Sequence, residues 1–153
     1  MMAEAILTRS ACQARGHYSQ AVRAGKLLFI SGQLPFDPEG RLVKGKVTDE
    51  ARQALANVQA IVEAAGGKLA NVVQCTVYIS DLSFWDEVDR TYADLFSDVA
   101  VLPARAVVPV KDLHYGARIE VQAVAVMDDE PDASSQPSHS LPHWPIPRRK
   151  TSR

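Results

Sequence analysis

Residues 118–126, RIEVQAVAV, alternate with a period of two, and the two faces they create differ in kind. Ile119, Val121, Ala123 and Ala125 make an unbroken apolar row. Arg118, Glu120, Gln122, Val124 and Val126 make the other row, in which polar groups are mixed with valines. A strand of this kind belongs in a sheet with one face sealed by a core. The second face is neither dry nor fully wetted, which suits packing on another subunit, and a subunit interface is a natural place for a pocket.

Two segments supply what seals the first face. Residues 48–65 carry Ala51, Leu55, Val58, Val62 and Ala65 at spacings of three and four, which predicts a helix with one apolar stripe. Thr48 is placed to cap it, Asp49 and Glu50 suit its positive end, and Gly66-Gly67 stop it. SFWDEVDRTYADLFS opens on a capping-box pattern, Ser83 with Asp86, and marks a second helix with Trp85, Val88, Tyr92 and Leu95 on one face. Strands are predicted at 20–23 and 26–33 as a hairpin, at 71–80, at 104–110 and at 117–127. The order β-β-α-β-α-β-β implies an α+β domain with two helices on one face of a mixed sheet.

Composition narrows the function classes. A chain of 153 residues with formal net charge −1 has no basic stripe, which argues against a nucleic-acid partner. No apolar run reaches the roughly 18 residues of a membrane span, and the N-terminus lacks a secretory pattern, so a cytoplasmic location is expected. Cys12 and Cys75 match no metal spacing and are read as small buried thiols. Five of the nine prolines fall after Met127. Residues 128–153 are therefore expected to be a disordered Pro/Ser-rich tail, and residues 1–127 the folded domain. His139 and His143 fall in that tail, as does the LPHWPIP island around Trp144.

Seven segments in register carry a resemblance: GHYSQAV, FISGQLPFDPEG, ALANVQAIVEAAGG, VVQCTVYISDL, VDRTYADLF, PARAVVPV and ARIEVQAVAV. Together they resemble the RidA/YjgF family of reactive-intermediate deaminases over about residues 5–127. The resemblance implies a chorismate-mutase-like fold, a homotrimer with clefts between subunits, and no metal or organic cofactor. It implies hydrolysis of reactive enamines and imines, 2-iminopropanoate and 2-iminobutanoate, to 2-keto acids and ammonia.

It also assigns residues. Arg105 of the PAR motif corresponds to the family's carboxylate grip, a role that a planar guanidinium fork fills better than lysine. Glu120 corresponds to the glutamate that handles the attacking water, and Tyr18 and Ser31 to pocket residues. Gly32 lets the backbone come close to a ligand. The chain departs from the family pattern at five places. Gln122 replaces a second glutamate and cannot titrate. His17 replaces a proline. Asp89 stands where the substrate-contacting asparagine is usual, and Val107 where many members carry cysteine, so a thiol-based function cannot be carried over. His114 lies in the loop KDLHYG that replaces the usual turn. A non-catalytic binder of small carboxylates is the second reading, kept alive by His17, Asp89 and Val107. Inhibition of translation through RNA is the third, and the lack of basic charge weighs against it.

Overall fold

The computed structural model describes residues 2–128. Apart from Asp128, the stretch expected to be a tail lies outside the described residues. Six strands form one sheet in the order β1-β2-β3-β6-β4-β5. They are β1 (Glu4–Ile6), β2 (Ala21–Ala24), β3 (Leu27–Gln33), β4 (Val72–Ile79), β5 (Ala104–Pro109) and β6 (Ile119–Val126), and the helices are α1 (Val47–Ala64) and α2 (Trp85–Leu95). Only β4 and β5 pair in parallel, through the crossover that contains α2. The last strand to be made, β6, inserts between β3 and β4, antiparallel to both.

The alternation along β6 is realised: Ile119, Val121, Ala123 and Ala125 are buried, and Gln122 and Val126 are exposed. Helix α1 buries Ala51, Ala54, Leu55, Val58, Ile61 and Val62 against the sealed face. The opposite face exposes Leu27, Phe29 and Val126, aligned across strands in the pairs Leu27–Val126 and Phe29–Val124.

Both helix starts differ from the sequence-based expectation. Helix α1 begins at Val47, so Thr48 is already inside its first turn, and the Lys46 N–H donates instead to the Asp49 carboxylate at 3.2 Å. Before α2, Asp81 accepts the Ser83 N–H at 2.8 Å and starts a 3-10 turn over Leu82–Phe84, so Ser83 is not the cap. An aspartate two residues earlier takes the amide first. Helix α2 buries Val88, Thr91 and Tyr92, while Trp85 is left exposed. The end of α1 follows expectation: Gly66 adopts φ +84°, and the Gly67 N–H returns to the Val62 carbonyl at 3.0 Å.

Strand β1 was not predicted, because three residues show no usable period. It pairs antiparallel with β2, and the segment after it is held by Gln20, a buried amide that accepts the Thr8 N–H at 2.6 Å and donates to the Thr8 and Cys12 carbonyls at 3.0 and 2.8 Å. At the start of the central strand β6, buried Glu50 accepts from Arg118 Nε and from the Arg118 N–H, each at 2.8 Å. This ties α1 to the start of β6, two residues before Glu120. Breaking a buried pair strands its partner, though Arg118 remains partly solvated, so Glu50→Gln is expected to cost about 2 kcal/mol. Denaturant unfolding of the variant checks this.

Candidate active site

Arg105 lies on β5 opposite Cys75 of β4, which in turn lies opposite Ala123 of β6. This register puts the Arg105 side chain on the helix-bearing face of the sheet, at its β5 edge. Its Nη1 is 2.7 Å from an Asp89 carboxylate oxygen, and its guanidinium lies 4.6 Å over the Tyr92 ring. Both partners come from α2, three residues apart and therefore on one side of the helix. Arg105 is 22% exposed and Asp89 37%, so the pair is open on one side. Beneath it the Tyr92 hydroxyl is buried with no hydrogen-bond partner among the described residues. Burial, and then the Cys75 thiol beside it, push the Tyr92 hydroxyl well above its ordinary range. Burial likewise raises the Cys75 thiol, which makes it a poor nucleophile. Val107 shares the face of Arg105 two residues on and packs against the core.

Glu120 is on β6, three positions from Ala123, and so projects from the opposite face of the sheet. The β3 backbone makes room for it: a Cβ on Gly32 would overlap a Glu120 carboxylate oxygen. The group this glycine admits against its backbone is the chain's own Glu120 carboxylate. The ladder between β3 and β6 is interrupted at Ser31-Gly32, between the pairs Ile30–Ala123 and Gln33–Val121. Half-burial raises the Glu120 carboxyl above the usual glutamate range, and His114 acts in the opposite direction. Ser31 Oγ donates to the Ser19 carbonyl at 2.7 Å, so it braces the loop segment just ahead of β2. Exposed Tyr18 accepts the Arg15 N–H at 3.2 Å. A cavity of about 30 Å³, roughly one water, is lined by Tyr18, Gly32, Gln33 and Arg15 among others. The Arg15 guanidinium lies 4.4 and 5.1 Å from the rings of Phe36 and Tyr115, which themselves meet edge to face.

The sequence-predicted residues thus fall into two groups. Arg105, Asp89 and Val107 share one face, whereas Tyr18, Ser31 and Glu120 gather around the bulge of β3 on the other side. Among the described residues, no group of three or more His, Cys, Asp and Glu side chains is placed to hold a metal ion, and no helix is long and apolar enough to cross a membrane.

Residues 8–127 match the family described as Endoribonuclease L-PSP. The chain belongs to the RidA/YjgF family. A 2-iminobutanoate/2-iminopropanoate deaminase of Salmonella typhimurium is 42% identical over 126 residues, covering 82% of this chain and 98% of that protein. A RutC family protein of Pyrococcus horikoshii is 43% identical over 125 residues, covering 81% and 98%. The crystal structure of the YjgF gene product of E. coli aligns with a TM-score of 0.77 at 42% identity, over 80% of this chain and 98% of that one. E. coli TdcF, solved with bound serine, aligns with a TM-score of 0.78 at 36% identity, over 82% and 98%.

Within this RidA/YjgF member, sequence reasoning missed the neighbours of its singled-out residues. Tyr92 was read only as part of an apolar helix face, yet its ring carries the Arg105 guanidinium. Its spacing of three from Asp89 was the available signal. Arg15 carried no signal, because its aromatic partners are distant in the chain. His17 is exposed.

Proposed function

We propose that this chain hydrolyses reactive 2-imino and enamine acids, 2-iminopropanoate and 2-iminobutanoate among them, to 2-keto acids and ammonia. The observation that carries the reading is Arg105 itself: a guanidinium on the PAR motif, backed by an aromatic ring and open on one side, in a chain 42% identical to a deaminase of that specificity. The Arg105 fork binds the substrate carboxylate through charge-assisted hydrogen bonds. Glu120 takes a proton from water as the water oxygen bonds to C2, and the C=N π electrons move to nitrogen. The same carboxyl group returns the proton to nitrogen, giving a carbinolamine; it then takes the proton of the new hydroxyl and passes it to nitrogen, so that the C–N bond breaks as ammonia leaves and a C=O bond remains. Tyr18 and the Ser31-Gly32 bulge shape the pocket around the water. The steps use only water and side chains and call on no cofactor.

One subunit turns Arg105 and Glu120 to opposite faces of its sheet, so it cannot put both on one small substrate. A neighbouring subunit can. The open face, with Leu27, Phe29 and Val126 each about two-fifths or more exposed, is the surface on which the sheet packs in the homotrimer we propose. In that assembly the Arg105 side of one subunit meets the Glu120 side of the next.

Generating 2-iminopropanoate in situ with a serine dehydratase tests the activity. The full-length protein is expected to accelerate pyruvate release, and sedimentation is expected to show a trimer at micromolar concentration. Unchanged release would leave the passive carboxylate binder as the better reading.

A further inference from the structure

The ion pair between Arg105 and Asp89 changes what the site is complementary to. We propose that Asp89 makes this site a reader of donors, holding the nitrogen of a 2-imino or 2-amino acid and rejecting the oxygen of the corresponding 2-keto acid. The inference rests on the reading of Arg105 as the carboxylate grip.

The argument is one of donors and acceptors. Asp89 spends one oxygen on Arg105 Nη1 at 2.7 Å, and its other oxygen has no partner among the described residues. Tyr92 covers one face of the guanidinium, so a ligand carboxylate must use the N–H groups left in its plane. Asp89 stands beside the arginine, so a ligand held there with its C2 substituent on that side meets the free carboxylate oxygen. An ionised aspartate only accepts hydrogen bonds. An iminium or ammonium nitrogen donates and carries positive charge, so it completes a four-part arrangement of alternating sign with Arg105 and Asp89. A keto oxygen only accepts, and it meets a second acceptor with no proton between them. Asparagine, by contrast, can turn either its NH2 or its oxygen to the ligand and discriminates little. An aspartate here therefore favours substrate over product, and the hydrogen bond it makes disappears when nitrogen leaves.

Pyruvate and L-alanine share a carbon skeleton and differ at C2, so they serve as probes in calorimetric titrations of the full-length assembled protein. Wild type is expected to bind alanine at least about tenfold more tightly than pyruvate, the scale of one charge-assisted hydrogen bond gained or refused. Asp89→Asn is expected to weaken alanine and tighten pyruvate, each about tenfold, so that the preference is lost or reversed. Pyruvate should correspondingly become a stronger product inhibitor of turnover. Should Asp89→Asn fail to assemble, Asp89→Ala carries the same expectation for the ratio. A wild-type preference for pyruvate, no detectable alanine binding, or a ratio unchanged by either variant would overturn the proposal. Arg105→Ala separates this from failure of the site itself. If it abolishes both ligands while the Asp89 variants leave the ratio alone, only the donor-reading idea falls. If it leaves both ligands bound as in wild type, the carboxylate grip falls with it.

Discussion

Arg105→Ala will abolish deamination and 2-keto acid binding together while leaving fold and assembly intact. Removing the fork deletes two charge-assisted hydrogen bonds worth roughly 1.5–3 kcal/mol each, which predicts at least about a hundredfold loss of affinity. Asp89 then loses its partner, but at 37% exposure its carboxylate stays hydrated, so no buried charge is stranded. Arg105→Lys should recover little, because one ammonium cannot present two parallel donors over the Tyr92 ring. Titration with pyruvate, beside sedimentation of each variant, checks the result. Wild-type pyruvate affinity in Arg105→Ala would overturn the assignment.

Glu120→Gln should divide what Arg105→Ala removes as a unit. Carboxylate binding is expected to persist while turnover falls by about 10²–10⁴-fold, the usual contribution of a positioned acid or base. The pH profile supplies the sign. Burial holds the Glu120 carboxyl above the ordinary glutamate range, and only its ionised form accepts a proton from water. The acid limb of kcat should therefore lie above that range, with activity lost as pH falls through it, and should vanish in Glu120→Gln. Stability follows the opposite course. The folded state binds this proton more tightly than the unfolded chain does. That contribution is present below the unfolded pKa and is lost as pH rises through the folded one. Turnover unchanged in Glu120→Gln would remove Glu120 from the mechanism.

What the residues determined by themselves is local. The two helices, their buried stripes, the Gly66 stop and the two-sided character of β6 follow from periods of 3.6 and 2 and from glycine's access to positive φ, all properties of a few neighbouring residues. The motifs also pointed to Arg105, Glu120, Tyr18 and Asp89 as candidates. The tertiary structure decided how these meet. That β6 lies between β3 and β4 is a matter of long-range pairing, on which no local period bears. The register of β4 with β5 and β6 then sets Arg105 over Cys75 and Glu120 on the opposite face. The crossover through α2 carries Asp89 and Tyr92 to the arginine, and the β3 bulge aligns Gly32 with the Glu120 carboxylate. Each of these contacts joins residues far apart in the chain, and so depends on which strand pairs with which and at what offset. A one-residue slip would turn Arg105 or Glu120 to the other face and dismantle both halves of the site.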